Sequence, residues 1–509
     1  LTLTEKMVHQ YNCAHNDIIA HRHEKVGADI ITLLCRDAGS LIHLLKSSLG
    51  SGILAMPNAF KNAGLVLGTI GTLVIGLVCT HCYLPHLELC ILISINFQSQ
   101  VTISHDVCKI AKVPSMDFAR TCGASFEYGP KALRPWANAF RTFVDWALVA
   151  TYLGASCVYV VLIADSFHEV VSEYYPDDNW DVKVYCALLL VPLVGLGQVR
   201  NLKYLVPFSL SANVFLLITL GITGFYIFQD IPPAGDKTLV APIATFPLFV
   251  STVIFAMEGI GVVMPVENEM RNPGHFLGCP GVLNIAMSVV VTLYTIIGFF
   301  GYLRFGDDVE GSITATLDNK PAQVAKVMIG LAILFTYGLQ LYVPFDIIFK
   351  KLEPKVQEKY MNITQIGLRT LIVIFTDCTI MRVFIPLQNN PKKKIFFLHF
   401  LHAGGPEKND FHQGLCHLGL AVAAAVPKLD ILISLVGAIF FSTLGLLVPA
   451  IAQTAHHWDR GLGKWNWMLY KNFCIGLFSI LALVSGSYQT RQLDLFHGKL
   501  NFGFEAKIP

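Results

Sequence analysis

Charge is what this 509-residue sequence has least of: Asp, Glu, Lys and Arg together make up 14% of it, where an ordinary soluble domain carries about a quarter. So few charges cannot cover a water-facing surface, which excludes a conventional soluble fold. Neither sign is in excess. The 37 Lys and Arg against 35 Asp and Glu leave a formal charge of +2, so there is no electrostatic footprint for a nucleic-acid partner. The 13 cysteines lack the spacings of a disulfide scaffold, and Cys79, Cys82, Cys157 and Cys474 lie inside apolar runs, as small buried residues do. Cys79 and Cys82 have no second pair with which to complete a zinc or redox site. A GxxxxGK[ST] sequence is missing, which argues against a pump driven by its own nucleotide hydrolysis, and Gly259-Ile260-Gly261 follows no strand that would make it a dinucleotide motif. No nucleophile and base share a helix face, so an enzyme is not expected. The opening stretch, 1–37, is polar and His-rich with no short apolar signal and cleavage site, and is expected to be a cytosolic tail.

Apolar residues make up 54% of the chain. A membrane helix needs about 20 mostly apolar residues, and eleven such spans are expected: 41–60, 64–83, 138–163, 184–198, 204–228, 242–264, 281–303, 324–348, a broken ninth, 430–452 and 468–488. The fold class is thus an all-α polytopic membrane protein. Basic residues stay on the cytosolic side. Lys109, Lys112 and Arg120, then Arg200 and Lys203, then Lys350, Lys351 and Lys355 mark that side, while Asp165, Glu169, Asp307, Asp308 and Glu310 mark the other. This alternation predicts a cytosolic N-terminus and an outer or lumenal C-terminal tail at 489–509, with the membrane domain over 38–488. The sequon at Asn362 falls on the cytosolic side, where it is expected to stay unmodified. Two stretches fit poorly, 84–103 and 377–418, which interrupt the second and ninth spans without helical periodicity of membrane length and are expected to be insertions foreign to the functional protein.

The chemistry points to two helices that should break. In the first span, Gly50-Ser51-Gly52-Ile53 with Pro57 places glycines and a proline in mid-membrane; in the sixth, Phe255, Met257, Glu258, Gly259 and Gly261 precede Pro265. Glycine and proline both weaken a helix, and unwound backbone is tolerated at that depth only where it lines a cavity or is buried in protein. Small residues also serve helix packing, the alternative for either motif alone. Their repetition five spans apart favours inverted five-helix repeats, as in secondary transporters. The free N–H groups at half-helix N-termini suit a carboxylate and the free carbonyls an ammonium group, a combination that describes an amino acid.

Intramembrane ionisable groups are functional candidates by default. Glu258 lies in the sixth-span break, with a structural hydrogen bond to unwound backbone or proton coupling as its two readings. Glu267 follows Pro265 near the cytosolic mouth, and His43 precedes the first break by two to three turns; a solvated mouth residue and an interfacial side chain are the plainer readings of these two, proton coupling the sharper. Tyr152 and Tyr337 fall mid-span and either line the cavity or pack in the core. Asp145 and Arg141, four apart on one helix face, are expected to pair.

His43-Leu44-Leu45-Lys46, Gly50 to Pro57, Ala59 to Gly64, Phe255 to Gly261 and Pro265 to Met270, with Gly298 to Leu303 and Ser434 to Ala438, carry a resemblance. The sequence resembles the proton-coupled amino acid transporters of the amino acid/auxin permease superfamily over about 38–83, 104–376 and 419–488. The resemblance implies eleven helices in the leucine-transporter-like inverted repeat, and symport of small neutral amino acids such as alanine, glycine and proline with protons by alternating access. It implies no cofactor beyond the proton as coupling ion, and a proton-coupling role at His43. In the family the second helix passes almost directly to a sequence like Ser104-His105-Asp106 and the ninth is continuous, so both suspected insertions fall at joins. Family members that are facilitative uniporters or amino-acid sensors keep those two alternatives open. The expected membrane is the plasma membrane or a lysosomal or endosomal one.

Overall fold

The computed structural model describes residues 37–50, 52–79, 96–113, 115–175, 180, 182–200, 202–229, 231–233, 235, 237–257, 259–270, 273–277, 281–317, 320–379 and 429–503. Among them there are helices and no strands. In chain order the helices are α1 (Ala38–Ser48), α2 (Gly52–Ala63), α3 (Leu65–Cys79), α4 (Asn96–Ala111), α5 (Phe118–Glu127), α6 (Ala137–Tyr174), α7 (Val182–Gly197) and α8 (Leu202–Ile227). They continue with α9 (Phe246–Ala256), α10 (Ile260–Glu269), α11 (Val282–Phe305), α12 (Lys320–Leu352), α13 (Met361–Thr379), α14 (Leu429–Val436), α15 (Val448–His457) and α16 (Trp467–Gly503).

Among the described residues, six helical stretches are long and apolar enough to cross a membrane, and α3, α7 and α9 contribute shorter apolar segments. Apart from the broken ninth, whose second half lies outside the described residues, the expected spans map onto these elements with shifted ends. The third lengthens to the 38 residues of α6, about 57 Å at 1.5 Å per residue and well beyond a hydrocarbon core of about 30 Å. Its apolar window is almost wholly buried in protein, whereas α8 and α16 turn large apolar side chains outward. Leu217 on α8 and Phe473 on α16 are each more than two-thirds exposed, a surface suited to lipid and not to water. Two buried hydroxyls on α6 bond the preceding turn: Thr151 donates to the Ala147 carbonyl, and Ser156 to that of Tyr152. That satisfies each group without a partner helix.

The core of the fold is α6 against α12. They run antiparallel, since Glu169 meets Lys326 at 3.0 Å near one end, Gln340 donates to the Tyr159 hydroxyl at 3.0 Å midway, and Asp145 meets Lys351 at 2.9 Å near the other. Asp145 therefore pairs across helices and not with Arg141, because the α12 ammonium reaches its carboxylate directly. Three further differences from expectation concern helix ends and interiors. The span expected as 430–452 contains two π-helical segments, Gly437–Phe441 and Thr443–Leu447, between α14 and α15. Past the expected start of the C-terminal tail at 489, α16 continues to Gly503. The interruption 84–103 falls outside the described residues as far as 95, while 96–103 open α4 with Gln100, Val101 and Ile103 buried. Of 377–418 only the end of α13 is described. There Asp377 is fully buried with neither carboxylate oxygen hydrogen-bonded among the described residues, a costly placement for a charged group.

Candidate functional site

Both expected breaks are present. Between α1 and α2 the backbone leaves the helix at Leu49 and Gly50, with Ser51 outside the described residues. Between α9 and α10 it leaves at Met257 and Gly259, with Glu258 outside the described residues. Each second half begins a few residues before its proline: Pro57 is the sixth residue of α2 and Pro265 the sixth of α10. Neither proline has an N–H to give to the preceding turn.

The two broken helices lie side by side and antiparallel. At one end the Ala241 N–H donates to the Ala63 carbonyl at 2.9 Å. A turn further in, the Phe60 and Phe249 rings meet edge to face, 6.4 Å apart. At the breaks a side-chain carbon on Gly52 would lie 2.6 Å from Ala256 Cα, and one on Gly259 would lie 3.4 Å from Ser48 Oγ. At the far end Asp37 reaches His275 at 3.0 Å. Only glycine fits at 52, because backbone stands where a Cβ would go. Gly64 has a different duty: its φ of +85° turns the chain from α2 into α3.

Breaks at the same depth bring four helix ends together. The free N–H groups that open α2 and α10 face the region from two sides, and the last carbonyls of α1 and α9 face it from the others. Tyr294, fully buried on α11, sits between those carbonyls: its hydroxyl bonds the Ser48 carbonyl and, at 2.7 Å, the Ala256 carbonyl. One proton is thereby shared by the ends of both first halves. Tyr159 on α6 comes within 3.6 Å of where a Gly50 side chain would begin, and Gln340 on α12 holds its hydroxyl. Tyr294, Tyr159 and Gln340 were not singled out from the sequence, where each lies in a largely apolar run with no spacing to mark it.

The other expected residues distribute differently. Ile53, Phe255 and Met257 are buried at the breaks, Phe255 against the Phe441 ring at 5.5 Å. Gly261 lies in the first turn of α10. Tyr152 is buried on α6 two turns from Tyr159. Tyr337 is fully buried, its hydroxyl 2.8 Å from Thr376 on α13, so it joins α12 to α13. His43 lies in α1. Glu267 is buried at the end of α10, where its carboxylate meets the His105 ring at 2.7 Å.

Above the breaks, on the side with acidic loops, lies a cavity of about 510 Å³. Its wall includes Asn58 and Lys61 on α2, Val161, Leu162, Asp165 and Glu169 on α6, and Glu310 and Asp430. Leu162 is one turn from Tyr159, so the cavity floor approaches the breaks. Lys61 donates to the carbonyls of Asp307, at 2.6 Å, and Val309, at 3.1 Å. Among the described residues no group of His, Cys, Asp and Glu is arranged to hold a metal ion.

Residues 38–492 match the family model described as transmembrane amino acid transporter protein. Over 453 residues the chain is 36% identical to the proton-coupled amino acid transporter-like protein pathetic of Drosophila melanogaster, covering 89% of this chain and 83% of that one. Over 329 residues it is 28% identical to vacuolar amino acid transporter 4 of Saccharomyces cerevisiae, covering 63% of this chain and 41% of that one. Among solved structures, the crystal structure of MhsT in complex with L-phenylalanine covers 88% of this chain and 98% of that chain, at 15% identity and a TM-score of 0.40.

Proposed function

Because the chain belongs to the transmembrane amino acid transporter family, and is an integral membrane transporter of amino acids of the proton-coupled type, we propose that it moves small neutral amino acids together with protons by alternating access through the crossing of its two broken helices. The observation that carries the proposal is the antiparallel pairing of the breaks, with Tyr294 bonded to the last carbonyl of each first half. In this reading the substrate carboxylate takes the N–H groups that open α2 and α10, where the helix dipoles are positive. The ammonium group takes the carbonyl ends of α1 and α9. Close approach of Gly52 to Ala256, and of Tyr159 to Gly50, leaves a narrow space and favours side chains the size of alanine or proline. Alternating access is supported by the asymmetry of the two ends: a cavity opens toward the acidic side, while the basic side is tied by Glu267 with His105 and Asp37 with His275.

Uptake of labelled alanine or proline at about pH 5.5 and about pH 7.5, with current recorded, tests this. Acid-stimulated uptake with inward current is expected, and Glu258→Gln is expected to remove the acid stimulation while exchange persists. Equal uptake at both pH values without current overturns the coupling and leaves a uniporter. Substrate binding without flux leaves a sensor.

A further inference from the structure

Carboxylates and imidazoles from different elements meet at the end of the bundle that carries the basic loops. Glu267 in the last turn of α10 is 3% exposed and lies 2.7 Å from His105 on α4, whose side chain is 35% exposed. Asp37, at the start of α1, is 8% exposed and lies 3.0 Å from His275, whose side chain is 36% exposed. In both pairs the carboxylate is buried and the imidazole reaches solvent. These contacts tie the inner ends of both broken helices: α10 to α4, and α1 to the turn that follows α10. A third pair extends the set, with Asp106, beside His105, lying 3.6 Å from the buried His456 on α15. Arg460 also reaches the His456 ring, at 2.8 Å.

We propose that Glu267 and His105, with Asp37 and His275 beside them, form a proton-binding latch that keeps the cytosolic mouth of the pathway shut. While the pair is closed, one proton is shared between imidazole and carboxylate, or held on the ring as an ion pair with the carboxylate. When the pair parts, water reaches both groups, and the proton is no longer held between two partners. Opening therefore releases a proton to the cytosol, and an acid cytosol holds the mouth closed. The groups facing the latch are consistent with this. From α4 come His105 and Cys108, one turn apart, and Lys109; from the start of α1 comes Asp37; from the turn after α10 comes His275; and from α15 and beyond come His456, His457 and Arg460 around Asp106. Among the described residues, the Glu267 carboxylate thus faces one imidazole and no lysine or arginine within ion-pairing distance. The latch gives the proposed proton symport a release site on the cytosolic side, and in that sense it rests on that reading, although its test does not require transport.

Leu44 on α1 is 4% exposed and lies between the latch and the break. In Cys108→Ser protein, with Leu44→Cys added, the rate of labelling by a membrane-impermeant maleimide from the cytosolic face of inside-out vesicles is measured from about pH 6 to about pH 8. Each rate is normalised to that of the denatured protein at the same pH, and Cys108→Ser protein alone supplies the background. Labelling is expected to rise about fivefold or more across this range, the low end of ordinary coupling between sites. His105→Asn and Glu267→Gln are each expected to give fast labelling at every pH, and Asp37→Asn, which leaves the principal pair intact, a partial effect. An unchanged pH profile in His105→Asn and Glu267→Gln overturns the latch, as does fast, pH-independent labelling in the parent. Absent acid-stimulated uptake with normal latch behaviour would instead refute only the symport reading.

Discussion

Tyr294 has a mostly apolar sequence neighbourhood, with Val291, Leu293, Ile296 and Ile297 around it beside Thr292 and Thr295, yet its hydroxyl joins the two interrupted helices. A buried carbonyl that loses its donor costs about 1–3 kcal/mol, and Tyr294→Phe strips two carbonyls of the same donor without changing the ring. Transport by this variant is expected to fall by about tenfold or more at equal membrane abundance, as read by uptake normalised to surface-labelled protein. Uptake within twofold of the parent would show that the hydroxyl is dispensable. The breaks themselves were legible in the sequence from their glycines and prolines, and Gly52 is the one of these glycines whose missing Cβ makes room for neighbouring backbone. Tyr294, Tyr159, Gln340 and His105 were not legible there, since their importance comes from what another helix presents to them. Tyr337 shows the converse: a mid-span tyrosine is a fair cavity candidate by position alone, but Thr376 occupies its hydroxyl.

At the scale of elements, periodicity and charge located the spans better than their ends or their internal irregularities. The π-helical segments after α14 illustrate the limit. Gly437 is pressed so close to α9 that a side-chain carbon there would lie 2.1 Å from the Ser251 carbonyl oxygen; the residues predict an ordinary apolar span, and only the neighbouring helix shows why the turn widens. The α6–α12 pair supports a prediction of its own. Lys326 is 4% exposed and holds Glu169 at 3.0 Å, beside Asp165 and Glu310 in the cavity wall. Lys350, by contrast, pairs with Asp346 on its own helix, with side chains 59% and 35% exposed. Lys326→Met leaves three carboxylates near one another without the Lys326 ammonium and is expected to destabilise the protein by about 1.5–3 kcal/mol, the scale of a hydrogen bond to a charged group. Lys350→Met should shift it by less than about 1 kcal/mol, as exposed pairs do. Thermal unfolding in detergent checks both, and equal shifts would mean that the buried pair adds nothing beyond a surface one.

For the molecule as a whole, the two ends differ in charge and in closure, and these differences agree. The loop residues Asp307, Asp308 and Glu310 border the open cavity, whereas Lys109, Lys350 and Lys351 lie toward the end where Glu267 and Asp37 meet their histidines. Basic residues are retained on the cytosolic side of membranes, so the cavity should open outward or to a lumen and the latch should face the cytosol. The inverted relation of the two broken helices was legible for the same reason: similar breaks five spans apart, with four spans between them, must enter from opposite sides, and the antiparallel contacts from Ala63 with Ala241 to Asp37 with His275 follow that geometry. Single cysteines at Glu310 and Glu358, both exposed, test the orientation regardless of which membrane holds the protein. With the plasma membrane selectively permeabilised and organelles left sealed, Glu358→Cys should react with an impermeant maleimide. Glu310→Cys should react only from the cell exterior or after full solubilisation. The reverse pattern would turn the molecule over, placing the acidic cavity in the cytosol and the histidine latch outside, and proton release through the latch would then run the wrong way for uptake.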